Sequence, residues 1–146
     1  MLGAEREIKA HEVAAGQVRL VFWPILDLGP NSLNAATTAF CAGEQAPAKF
    51  WAAHDALFER QGDVYGADRA FFLALADELQ LDAATFAACY DGQATRDLLA
   101  ELDAARRGDG IRQRPSFALV SATDSQRLIG AQPYETFAEA IAALLP

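Results

Sequence analysis

Apolar positions recur at helical spacing through most of the 146-residue chain and turn strand-like in a few short stretches. Residues 5–15 read as a helix with a weak apolar side of Ile8 and Val13, stopped by Gly16. Val18-Arg19-Leu20-Val21-Phe22-Trp23 is rich in β-branched and aromatic residues and predicts a strand, which Pro24 ends. Leu28-Gly29-Pro30-Asn31-Ser32 predicts a turn, with Asn31 or Ser32 as the cap of the next helix. About five helices then follow over residues 33–107. The first carries Leu33, Ala36, Phe40 and Cys41 on one face; the second opens at Pro47 and carries Phe50, Trp51, His54, Leu57 and Phe58. Asp68 caps the third, lined by Phe71, Phe72, Leu75 and Leu79, and Asp82 caps the fourth, with Phe86, Cys89 and Tyr90 inward. Asp91-Gly92 breaks that helix. The fifth uses Leu98, Leu102 and Ala105 as its stripe, with Arg106 and Arg107 at the negative end of its dipole and Gly108 as its stop.

After the polar loop Gly110-Ile111-Arg112-Gln113-Arg114, Pro115 precedes the apolar run Phe117-Ala118-Leu119-Val120, which reads as a buried strand. A turn over 121–125, a second strand over 126–129 and Gly130 lead to a final helix, opened by Pro133 and facing inward with Phe137, Ile141 and Leu144. The order is helix, strand, about five helices, strand, strand, helix, with no internal repeat.

Composition narrows the function classes. At 52% hydrophobic residues the chain can build a sizeable core without staples. Its net charge of -8 is the wrong sign for a nucleic-acid or anionic-membrane surface, so neither is expected as a partner. No apolar run approaches the roughly 20 residues that span a bilayer. The start, Met1-Leu2-Gly3-Ala4-Glu5-Arg6-Glu7, is charged at once and lacks an apolar signal region. Phosphate-loop, dinucleotide-fold and Gly-x-Ser-x-Gly patterns are missing. His54 on an apolar helix face reads as a packed histidine and His11 as a surface one. Two lone cysteines cannot form a zinc site, so neither metal nor cofactor is expected. Cys41 and Cys89 read either as small buried hydrophobes or as one disulfide.

Several segments together carry a family resemblance. They are Gly16-Gln17-Val18-Arg19-Leu20-Val21-Phe22, Pro30-Asn31-Ser32, Phe40-Cys41-Ala42-Gly43-Glu44-Gln45, Lys49-Phe50-Trp51, His54-Asp55-Ala56-Leu57-Phe58, Arg114-Pro115-Ser116-Phe117 and Gly130-Ala131-Gln132-Pro133-Tyr134-Glu135-Thr136-Phe137. In this order and spacing the chain resembles the DsbA-like branch of the thioredoxin superfamily. The resemblance implies an α/β, thioredoxin-like fold with a helical insertion domain at 33–107, flanked by 1–32 and 108–146 as a partial thioredoxin-like domain. It also implies a cis peptide before Pro115, substrate binding by Arg114, Pro115 and Ser116, a structural disulfide between Cys41 and Cys89, and no cofactor. Implied partners are protein or peptide thiols and disulfides, in an extracytoplasmic compartment. In such proteins a thiolate at a helix N-terminus has a depressed pKa and exchanges with substrate disulfides, while the proline loop holds a substrate strand by backbone pairing.

The chain departs from the family at three places. Met1 falls where the family helix has already passed its Cys-x-x-C, so the first core strand and the redox pair are expected to be missing by N-terminal truncation. Arg114 stands where a small or β-branched residue is usual; beside a thiol site its charge would favour the thiolate. Gly29 stands where histidine is frequent. The leading expectation is a disulfide oxidoreductase family member, inactive in thiol–disulfide exchange as this chain alone. A non-catalytic peptide-binding module using the Pro115 loop is the alternative, with a glutathione-linked isomerase or transferase relative as a third reading. The absent strand would lie between 18–23 and 117–120. That gap is expected to close by direct pairing of those two segments, by a strand from a second copy in a homodimer, or to leave the region poorly ordered.

Overall fold

Pro30, Pro47, Asp68 and Asp82 each start a helix in the computed structural model of the chain, which describes residues 2–145. The elements are α1 (Leu2–Ile8), a π-helical turn (Lys9–Val13), α2 (Pro30–Gln45), α3 (Pro47–Glu59), the single turn α4 (Gln61–Val64), α5 (Arg69–Glu78), α6 (Ala83–Asp91), α7 (Gln93–Gly108), β1 (Ser116–Val120), β2 (Ser125–Ile129) and α8 (Tyr134–Leu144). They divide into two compact units. One comprises Trp23–Asp109; the other joins the described residues of Met1–Phe22 to those of Gly110–Pro146. No helix among the described residues is long and apolar enough to cross a membrane.

In the helical unit the sequence signals act locally. The carboxylates of Asp68 and Asp82 accept hydrogen bonds from the backbone N–H of Phe71 (3.1 Å) and Thr85 (2.8 Å), satisfying donors that a helix start leaves orphaned. Pro30 lies in the first turn of α2, where its fixed φ fits and its missing N–H costs nothing. The cap expected from Asn31 or Ser32 is therefore not used. The Asn31 amide instead donates to the carbonyls of Val64 (2.8 Å) and Ala67 (2.9 Å), pinning the turn before α5, and the Ser32 hydroxyl accepts from Leu28 N–H. Alanines let α2 and α3 approach closely, and a methyl at Gly43 would meet Phe50 Cβ at 3.0 Å. Phe72, Leu75, Phe86 and Tyr90 fill the centre. His54 is buried among Phe50, Trp51 and Phe58, and its Nδ1 lies 2.9 Å from an Asp55 carboxylate oxygen.

Helix α7 departs from its expected stripe. Leu98 is 46% exposed and Ala105 is exposed, whereas Thr95, Leu99, Asp103 and Arg106 are buried. Arg106 lies in the last turn of α7, as expected, but it is buried. It donates to Asp103 and also faces Asp27, so the inward side of α7 carries an ionic pair where an apolar stripe was expected.

In the second unit β1 and β2 form an antiparallel hairpin with Ser116 opposite Ile129 and Val120 opposite Ser125. Phe117, Leu119 and Leu128 face a cluster of Ile8, Phe137 and Ile141, so one hairpin face is covered by α1 and α8. The Phe117 and Phe137 rings meet edge to face at 4.7 Å. The Tyr134 hydroxyl ties α8 to the π-helical turn, donating to Glu12 at 2.7 Å. That bond, with burial and the charges of Glu12, Glu7 and Glu135, pushes the phenol up to about 12. The neutral phenol is the form that pairs, so the contact is complete below about pH 10, the ordinary tyrosine value, and fades as pH rises through 12. The difference in phenolate absorbance between the parent protein and Tyr134→Phe should accordingly titrate near pH 12; a difference centred near pH 10 would show that the pair does not form.

The strand expected over 18–23 is not realised. Residues 18–27 have no regular secondary structure, and among the described residues the sheet consists of the two strands of the hairpin. Exposure still alternates, with Val18, Leu20 and Phe22 half-buried and Arg19, Val21 and Trp23 exposed. The side-chain pattern of a strand is present without a ladder, because β-propensity expresses a fit to a pleated surface and becomes a strand only beside a paired neighbour. Direct pairing with 117–120, one of the expected ways of closing the gap, does not occur among the described residues.

Candidate functional site

The proline loop is held between two fixed points. Gly110 takes φ +72°, a conformation that favours glycine, and lets the chain turn out of α7. At the other end the Pro115 carbonyl accepts from Gly130 N–H at 2.9 Å, which starts the hairpin ladder. Between them the Ser116 hydroxyl donates to the Gln113 carbonyl at 2.6 Å, and the Arg114–Pro115 peptide is cis. Arg112, Gln113 and Arg114 are exposed. The loop carries no cysteine, histidine or carboxylate. Its chemistry is backbone pairing and guanidinium charge, with no thiol, no general base beside the Ser116 hydroxyl and no set of metal ligands.

The ladder parity decides which backbone groups are available. Gly130 N–H bonds Pro115 and Ser121 N–H bonds the Asp124 carbonyl at 2.9 Å. With the observed register, the hydrogen-bonded rungs are therefore the odd-numbered residues 115, 117, 119 and 121 of the first strand and its ends. Ser116, Ala118 and Val120 fall between them, so their N–H and C=O groups point away from β2. Among the described residues no other backbone bonds them. A three-residue open edge thus runs directly from the proline. Val120 is 74% exposed at its far end.

The two cysteines lie in the helical unit. Cys41 on α2 and Cys89 on α6 form a disulfide with Cα atoms 5.7 Å apart. Cys41 is buried, and the Thr95 hydroxyl donates to the Cys89 sulfur at 3.4 Å. Both thiols are consumed in this bridge, and neither opens a helix.

The model of the DSBA-like thioredoxin domain family matches residues 7–142. The chain belongs to the DSBA-like thioredoxin domain family. A crystal structure of a candidate protein disulfide isomerase from Nitrosomonas europaea resembles this DSBA-like domain with a TM-score of 0.64. The match covers 95% of this chain and 72% of that one at 19% sequence identity, which shows a shared fold. No curated protein sequence matches the chain. The family is one of thiol–disulfide oxidoreductases acting on protein thiols and disulfides. Within this DSBA-like domain Arg114, Pro115 and Ser116 are consecutive on the loop at the start of the open edge, whereas Cys41 and Cys89 belong to the other compact unit. Arg112, Arg127 and the outward amide of Ala118 were not singled out from the sequence. The alternation of a hairpin register is the signal that would have exposed Ala118.

Proposed function

We propose that this chain is the substrate-holding part of a DsbA-like thiol–disulfide oxidoreductase, whose redox chemistry needs a Cys-x-x-C that these 146 residues do not contain. Arg114, Pro115 and Ser116 begin the binding segment; in these 146 residues an extended backbone adds to the open edge at Ser116, Ala118 and Val120, the place that the family's first core strand takes where that strand is present. The observation that carries this reading is the set of outward, unbonded backbone groups directly after Pro115. The Cys41–Cys89 bridge fits an oxidising compartment. A homodimer would use the same edge, with a strand of a second copy in place of substrate.

The position of Ala118 gives a clean test. Proline there removes an N–H that points away from β2, so the hairpin keeps its ladder while the edge loses a donor. Ala118→Pro is expected to weaken binding of an extended, neutral peptide at least tenfold, read by amide shifts over 112–120, with thermal stability nearly unchanged. Leu119→Pro, which removes a ladder donor, should instead unfold the hairpin. Unchanged peptide affinity in Ala118→Pro would end the edge reading.

A non-catalytic peptide-binding module is the second reading, favoured by the spacing of 48 between the only cysteines of this sequence. The intact mass of the protein from its own cells, with and without reduction and alkylation, separates the two. Four alkylatable cysteines on a heavier chain support the oxidoreductase; two cysteines on a chain of 15.7 kDa support the binding module.

A further inference from the structure

The acidic balance of the protein is unevenly placed. Trp23–Asp109 holds fourteen of its 20 carboxylate side chains against six basic ones, whereas residues 110–132 hold Arg112, Arg114 and Arg127 against the single Asp124. Two of these arginines share a shallow recess. The loop residues Ile111, Arg112 and Gln113 form one wall, and Ser116, Arg127 and Ile129 form the other, enclosing about 230 Å³. The ion pairs of the fold, such as Arg60–Glu78, Arg69–Asp91 and Arg106–Asp103, use other arginines. Neither Arg112 nor Arg127 has a carboxylate partner among the described residues, and both are exposed.

The recess lies on the hairpin face opposite Phe117, Leu119 and Leu128. By strand alternation Ser116, Ala118, Arg127 and Ile129 share that face. Arg127 stands directly opposite Ala118, whose methyl leaves room for the long arginine side chain to lie across β1. A strand added to the open edge would run about 4.8 Å beyond β1 and would project alternate side chains onto the same face. We infer that Arg112 and Arg127 select an aspartate or glutamate side chain on the bound peptide, at the position beside Ser116 and Ala118. Guanidinium groups pair with carboxylates through charge-assisted, geometrically specific hydrogen bonds, and the apolar walls of Ile111 and Ile129 suit the methylenes of such a side chain. This rests on the edge-pairing reading and adds a substrate preference to it.

The sign of the preference is what makes it decisive. With a net charge of -8, the overall field of the protein favours a cationic peptide. A local arginine pair reverses that order. Three otherwise identical extended peptides, carrying Glu, Gln or Lys at one central position, should be titrated by fluorescence anisotropy against the full chain. The Glu peptide is expected to bind about tenfold more tightly than the Gln peptide, with the Lys peptide weakest. The Glu advantage should shrink as salt is raised and should vanish in Arg112→Gln/Arg127→Gln, with the Gln peptide bound as before. Both positions are exposed, so this variant is expected to fold. If the Gln peptide binds but Glu gains nothing, or if the advantage survives in the double variant, the arginine assignment falls and the edge reading stands. If none of the three peptides binds, both fall.

Discussion

Replacing Cys41 and Cys89 together by alanine is expected to lower the stability of the helical unit by about 4 kcal/mol. The bridge joins α2 to α6 across a sequence separation of 48, so in the unfolded chain it closes a long loop and removes much conformational freedom. Its Cα separation of 5.7 Å lies in the range that bridges adopt without backbone displacement. Loss of two sulfur atoms from the packing is the smaller effect. The large side chains of the core, Phe72, Phe86, Leu75 and Leu99, are fully buried and remain. A domain of this size has about 5–15 kcal/mol in total, so the variant should stay folded at low temperature with a much reduced urea midpoint. Reduction of the parent protein with a thiol should move the midpoint in the same direction and by a similar amount. A shift below about 1 kcal/mol in both experiments would mean that the bridge constrains little in the unfolded chain.

The features legible in the sequence are those whose cause is local. Pro47, Asp68 and Asp82 announce their helices because a fixed φ or a side-chain acceptor acts within one turn. The hairpin was readable from two short apolar runs around a polar turn. What escaped depends on neighbours far away in the chain. Residues 18–23 have strand composition and keep strand-like alternation of exposure, yet no ladder forms, since a strand needs a partner that composition cannot supply. On α7 the apolar pattern pointed to Leu98, but the buried face is set by Asp103 and Arg106, two residues that hydropathy places in solvent. Asn31 looked like a cap and is a clamp on the Val64 and Ala67 carbonyls, more than thirty residues on. The candidate site divides in the same way. Arg114, Pro115 and Ser116 stand out as a loop motif, whereas the Arg112 and Arg127 pair exists only once the hairpin register brings β2 back beside the loop.

Asp103→Ala is expected to cost about 3–5 kcal/mol, as breaking a buried ion pair does. Asp103 is 4% and Arg106 2% exposed. One Asp103 oxygen accepts from Leu26 N–H at 3.1 Å and from Arg106 Nε at 3.1 Å, and the other lies 2.6 Å from Arg107 Nη2. Alanine would strand the Leu26 amide and leave a buried guanidinium without its principal carboxylate. The pair as a whole is worth less than the cost of breaking it, because both charges were desolvated to form it. Asp103→Leu/Arg106→Met should therefore recover most of the loss. The pH dependence follows from the same contacts. Burial works to raise the Asp103 pKa, but the hydrogen bonds from Arg106 and Leu26 and the charges of Arg106 and Arg107 outweigh it, so the carboxyl is held below the usual range. A folded pKa below the unfolded value of about 3.9 contributes stability that is complete above pH 4 and is lost as pH falls through the folded value. Urea midpoints at pH 7, 4 and 3 should thus fall in the parent protein, with a shallower fall in the Leu/Met double variant. Parallel acid dependence in the two proteins, or an Asp103→Ala variant as stable as the parent, would show that this buried pair does not hold the helical unit together.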